Sequence, residues 1–73
     1  MKTAKEMFEE LGYKPFGKNS KYICYRNKAS FIEFDLDGKC ILTNKPSTTF
    51  NHITLKELQA INKQVEELGW LDD

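Results

Sequence analysis

Few residues in this chain carry side chains that do covalent or acid–base chemistry near neutral pH. His52, in "FNHIT", is the only histidine, and Cys24 and Cys40 are the only thiols. Nucleophilic catalysis needs a nucleophile beside an oriented base. His52 falls in a loop just before a helix, where a side chain is more often a surface or pre-cap group than a base. Glu33 and Asp35 alternate along one strand-like run with no evident partner acid. Two cysteines without CxxC spacing and one histidine do not complete a four-ligand zinc site without carboxylates. A small domain also leaves little room for a pocket of roughly 300–1,000 Å³. We therefore expect no catalytic residue, no metal site, no cofactor and no small-molecule substrate.

What remains is binding chemistry. Tyr22, Arg26 and Phe31 could stack on bases or pack on a partner, and Cys24, Cys40 and Leu42 add apolar surface beside them. Whether these six side chains meet depends on the strands that carry them. "KYICYR", "FIEFDL" and "KCILTN" are rich in aromatic and β-branched residues. "NKAS" separates the first two, and Asp37-Gly38, a strong hairpin signal, separates the second and third. Alternation then predicts a core face of Ile23, Tyr25, Ile32, Phe34, Leu36 and Ile41. The opposite, mixed face carries Tyr22, Cys24, Arg26, Phe31, Glu33, Asp35, Cys40 and Leu42. Its aromatics could simply pair across strands on a half-solvated surface.

Two helices flank the strands. "TAKE" offers Thr3 and Glu6 as a capping box, with Ala4, Met7, Phe8 and Leu11 on one stripe. Thr54 and Glu57 form a second box, and Ile53 is placed to staple onto Leu58. Leu55, Leu58, Ile61, Asn62, Val65 and Leu68 then share a stripe, apolar except for Asn62. The helices end in nearly the same words, "FEELGY" and "VEELGW". Six extra residues in the second helix turn its end by about 240° relative to its start, which argues against a duplicated rigid unit. The repeat reads as one stop signal used twice, with Gly12 and Gly69 left-handed and Tyr13 and Trp70 folding back on Phe8 and Val65. Against it stand Glu9-Glu10 and Glu66-Glu67, acids in last turns where the helix dipole disfavours them. "YKPFGKNS" reads as an irregular connection that could fold Phe16 over the mixed face as a lid. Residues 45–52 read as a loop with room for an extended piece at Thr48–Phe50.

The 73 residues bound the answer to one domain, 40% hydrophobic and 30% charged, as expected of a soluble globular chain. Eleven basic residues balance eleven acidic ones, so the global basic footprint of a nucleic-acid binder is missing. No apolar run approaches a membrane span. "MKTAKEMFEE" lacks the apolar core of a secretory signal. We expect a cytoplasmic protein with free thiols.

"TAKEMFEELGY" and "ITLKELQAINKQVEELGW" together resemble small uncharacterised proteins encoded by phages and prophages of Gram-positive bacteria. The resemblance implies a cytoplasmic accessory protein of a mobile element and supplies no functional residues. The residues themselves predict an α+β domain: helix–strand–strand–strand–helix, a three-stranded antiparallel meander with both helices on one face. The expected function is non-enzymatic, through a protein partner or a homodimer, with Tyr22, Cys24, Arg26, Phe31, Cys40 and Leu42 as the contact surface. The alternative is a weak nucleic-acid-binding module using Tyr22, Arg26, Phe31 and the basic loops.

Overall fold

A computed structural model describes residues 1–46 and 52–72. Helix α1 (Ala4–Glu10) leads into strands β1 (Lys14–Lys18), β2 (Tyr22–Asn27), β3 (Ser30–Asp35) and β4 (Cys40–Asn44), and helix α2 (Leu55–Glu67) ends in a short 3₁₀ turn at Trp70–Asp72. The strands form one antiparallel sheet in chain order. The fold is thus α+β, but with four strands where the sequence predicts three. No described helix is long and apolar enough to cross a membrane. The extended piece considered at Thr48–Phe50 lies outside the described residues.

The fourth strand is β1, inside the segment read as a loop. Pro15 and Gly17 disfavour a central strand, yet both are tolerated at a sheet edge and at a bulge. β1 is such an edge, and its register slips between Pro15 and Gly17. The turn into β2 is built by Asn19, whose Oδ1 accepts the N–H groups of Lys21 (2.7 Å) and Tyr22 (3.0 Å).

The rest of the sheet keeps the two faces that alternation predicts. Ile23 faces Phe34, Tyr25 faces Ile32, Phe34 faces Ile41 and Ile32 faces Thr43. The last turn differs in kind. Asp35 pairs with Cys40, closing a four-residue loop whose left-handed residue is Lys39 (φ 52°) rather than Asp37 or Gly38. The Asp35 carboxylate holds this loop by accepting from the N–H of Asp37 (3.0 Å) and Gly38 (3.2 Å), which replaces the two-residue turn that Asp-Gly suggests.

Both capping boxes are present, Thr3 with Glu6 and Thr54 with Glu57. Both stop glycines are left-handed, Gly12 at φ 90° and Gly69 at φ 75°. At the first stop, Gly12 N–H donates to the Glu9 carbonyl and Tyr13 N–H to the Phe8 carbonyl, both at 3.0 Å, the paired bonds of a Schellman turn. Tyr13 then meets Phe8 edge-on, 5.8 Å between centroids. Trp70 lies edge-on to Phe34 at 6.5 Å, so the second stop anchors its aromatic ring to the sheet.

Three of the four last-turn acids have partners that the sequence does not suggest. Glu10 pairs with Lys2 at 2.6 Å and Glu66 with Lys63 at 3.4 Å. Glu67 accepts from the Ala4 N–H at 2.8 Å. An acid that is unfavourable at the end of α2 thereby satisfies a free donor at the start of α1.

Phe8, Tyr13, Ile23, Tyr25, Ile32, Phe34, Ala60 and Ile61 form one core, with both helices contributing on the same sheet face. Phe8 stacks on Tyr25, 4.2 Å between centroids. Two expectations fail. Ile41, assigned to the core, is 38% exposed on the edge strand, and α2 sits rotated from its apolar stripe. Leu55 is 70% exposed, and Leu58 and Ile53, the proposed staple pair, are each 44% exposed. Glu57 and Gln64 are buried instead.

The rotation follows from hydrogen bonding. Tyr13 and Tyr25 bury hydroxyls on the core side and need acceptors there. Tyr13 donates to Glu57 Oε2 at 2.6 Å, and Tyr25 donates to Gln64 Oε1 at 2.7 Å. Glu57 also accepts from the Lys45 ammonium and, at 2.9 Å, from the Thr54 N–H. Burial alone would push the Glu57 carboxyl up; hydrogen bonds from Lys45, Thr54 and Tyr13 and the charge of Lys45 outweigh it and bring its pKa to about 2.

Two predictions follow from this architecture. Gly12→Ala should cost ~2 kcal/mol, since left-handed strain is joined by a clash of the new Cβ with Asn27 Nδ2 at 3.0 Å. Gly69→Ala, with open space around it, should cost ~1 kcal/mol; urea titrations of both variants check the order. For Glu57, a pKa below the ordinary 4.5 means that stabilisation is complete above that pH and lost as pH falls toward about 2. The loss should be on the order of 3 kcal/mol. Glu57→Gln should flatten this acid limb and cost about 3–5 kcal/mol at neutral pH, because it breaks a buried ion pair and removes the charged acceptor of the Tyr13 hydroxyl. Urea midpoints measured across that pH range test both.

Candidate interaction surface

The helices cover one side of the sheet, and the register lays out the other. Cys24, Glu33 and Leu42 form one cross-strand row, Arg26, Phe31 and Asn44 a second, and Tyr22, Asp35 and Cys40 a third. All six residues expected on the contact surface therefore share this face, but they do not form one continuous site. Cys24, Arg26 and Phe31 gather near β1, whereas Cys40 and Leu42 lie at the far edge on β4.

Phe16 binds the first group together. It is the extra residue of the β1 bulge, and its ring lies 4.7 Å from Arg26 Cζ. An exposed pair of this kind contributes about 0.5–1 kcal/mol. Arg26 is further fixed by its Nε, which donates to the Lys28 carbonyl at 2.9 Å. Phe16, Cys24, Arg26, Phe31 and Glu33 enclose a groove of about 190 Å³. Phe16 thus reaches the face as the sequence suggests, but from a strand rather than a loop, and as a wall rather than a lid: it is 63% exposed.

Tyr22 is half-buried and sits against Gly17, where an added Cβ would lie 3.1 Å from the ring. It serves the β1–β2 packing and is not a line of the groove. Cys24 is buried, while Cys40 is exposed with its thiol 3.6 Å from Asp35 Oδ2. Burial, with the nearby Glu33 charge, pushes the Cys24 thiol up. Desolvation and Asp35 do the same to Cys40. Both environments hold the sulfur protonated, the reverse of what activates a nucleophile.

Among the described residues no group of three His, Cys, Asp or Glu side chains converges as metal ligands do. Open recesses of about 330, 440 and 450 Å³ lie elsewhere on the surface, so size alone does not exclude a small ligand, contrary to the expectation from chain length. The recess of about 330 Å³ is lined by Lys5, Lys18, Gln64 and Glu67 beside the β1 bulge.

The fold and this face define a small α+β domain with one helix-covered and one open sheet surface. Comparison with protein-family models, curated proteins and solved structures returned no match.

The two thiols should separate cleanly in a labelling experiment. A water-soluble aromatic disulfide should modify Cys40 in the folded protein, slowly at neutral pH and faster as pH rises, because its thiol titrates above the ordinary range. Cys24 should react only with unfolding. Cys24 modified as fast as Cys40 in native buffer would contradict the packing of the groove floor.

Proposed function

We propose that this chain is a non-enzymatic, cytoplasmic accessory protein that works by docking a protein partner on the open sheet face. The observation that carries the reading is the groove of Phe16, Cys24, Arg26, Phe31 and Glu33. Two aromatic walls and a buried thiol floor suit one large apolar side chain of a partner. Arg26 and Glu33 at its rim supply one charge of each sign for orientation. That mix matches the anatomy of protein interfaces, where aromatics and Arg are enriched around a small apolar centre. The phage-like wording of the two helices is consistent with an accessory role.

The nucleic-acid alternative uses the same side chains, but here Arg26 is already stacked on Phe16. Glu33 and Asp35 also place negative charge along the face where a phosphate backbone would run. A decisive test titrates labelled single- and double-stranded DNA and RNA at low salt. No binding up to high micromolar concentrations is expected. Saturable binding lost in Phe31→Ser and Arg26→Ala would replace the protein-docking reading. In parallel, partner capture from lysate should be lost in Phe16→Ser and Phe31→Ser variants that keep the wild-type urea midpoint.

A further inference from the structure

The two edges of the sheet are built differently. β1 carries the devices that block strand addition: Lys14, Lys18, Pro15 and a bulge. β4 has none of them. "CILTN" contains no charge and no proline, and its register with β3 runs unbroken over five pairs. Among the described residues no strand lies on its outer side.

Apolar surface collects around this unguarded edge on both faces. Leu42 is 47% exposed on the open face, and Ile41 is 38% exposed on the helix face. α1 lies beside β1 and α2 beside α1, and Glu67 of α2 reaches the α1 N-terminus. At about 100° per residue, Leu58 falls on the flank of α2 opposite Glu67. Leu58 is 44% exposed on that flank, and beside it in sequence Glu57 is tied to Lys45, which follows β4.

We propose that β4 pairs antiparallel with β4 of a second copy, making a continuous eight-stranded sheet about a two-fold axis at Leu42. The occupant is a second copy because the edge is self-complementary. A two-fold centred there sets Leu42 opposite Leu42, Ile41 opposite Thr43 and Cys40 opposite Asn44, with no like charges facing each other along the strand. The next pair would join Lys39 to Lys45, but the Lys45 side chain turns inward to Glu57. Zero net charge removes long-range repulsion between copies. On the helix side, the exposed Ile41 of each copy lies in the new junction opposite Thr43 of the other. The groove near β1 stays open in this assembly, so the inference goes beyond the docking reading and does not depend on it.

Light scattering over a concentration series tests it. The wild-type mass should rise from 8.5 kDa toward twice that value. Leu42→Lys and Leu42→Asp should each stay monomeric through like-charge contact at the axis. Mixing the two should restore a one-to-one dimer, an outcome that misfolded variants cannot give. In the wild type, amide exchange across Cys40–Asn44 should slow as concentration rises. A wild type that stays at monomer mass to millimolar concentration, or a dimer that Leu42→Lys leaves intact, would overturn the β4 pairing, while the groove reading would still stand or fall on its own titration.

Discussion

A single buried carboxylate organises this domain. Glu57 closes the capping box of α2, accepts the Tyr13 hydroxyl that follows the stop of α1, and holds the Lys45 ammonium that follows β4. Three chain segments that are distant in sequence are thus tied at one acceptor. Charged hydrogen bonds inside a protein are stronger than neutral ones, and an unpaired buried charge is costly. The arrangement is therefore all or nothing. With its partners present, every buried side-chain polar atom among the described residues is satisfied. In a chain this small, where the apolar core alone gives a narrow stability margin, the positions of α1, β4 and α2 depend on that cluster being complete.

Local rules with a unique chemical signature were legible in the sequence. The two capping boxes needed only Thr and Glu at the right spacing, and Gly12 and Gly69 needed only a helix that had to stop. The two faces of β2, β3 and β4 followed from alternation, because a slip by one residue would turn Ile23, Tyr25, Ile32 and Phe34 to solvent. Rules that depend on context were not legible. Pro15 and Gly17 read as loop because their cost in a central strand is high, and nothing local says that β1 is an edge with a bulge. The turn after β3 was misread because Asp35, rather than Asp37, supplies the side-chain acceptor.

The rotation of α2 is the most instructive difference. A hydrophobic stripe assumes that the buried face of a helix is its apolar face. In α2 that assumption fails at Glu57 and Gln64, whose partners are hydroxyls of Tyr13 and Tyr25 contributed by other elements. Only the combination of buried tyrosines facing a helix with a Glu and a Gln at i and i+7 could have signalled it. Of the six residues expected on a contact surface, shared membership of one face was legible, since it follows from alternation. The grouping of Cys24, Arg26 and Phe31 with Phe16, apart from Cys40 and Leu42, was not, because it depends on the bulge.

The interior chemistry also determines the exterior. Because Glu57 and Gln64 occupy inward positions of α2, Leu55 and Leu58 are turned outward, where burying them would otherwise be worth about 1.5–3 kcal/mol each. The same two helices, drawn toward β1 and β2 by Phe8 stacking on Tyr25 and by Tyr25 bonding to Gln64, do not reach Ile41 on β4. Polar groups inside and apolar groups outside are thus two sides of one geometric choice. A domain of this size has no third helix in its described residues with which to cover β4. Ile41 and Leu42 accordingly stay exposed on the one edge strand that lacks charge, proline or bulge, and that exposure has a cause inside the core.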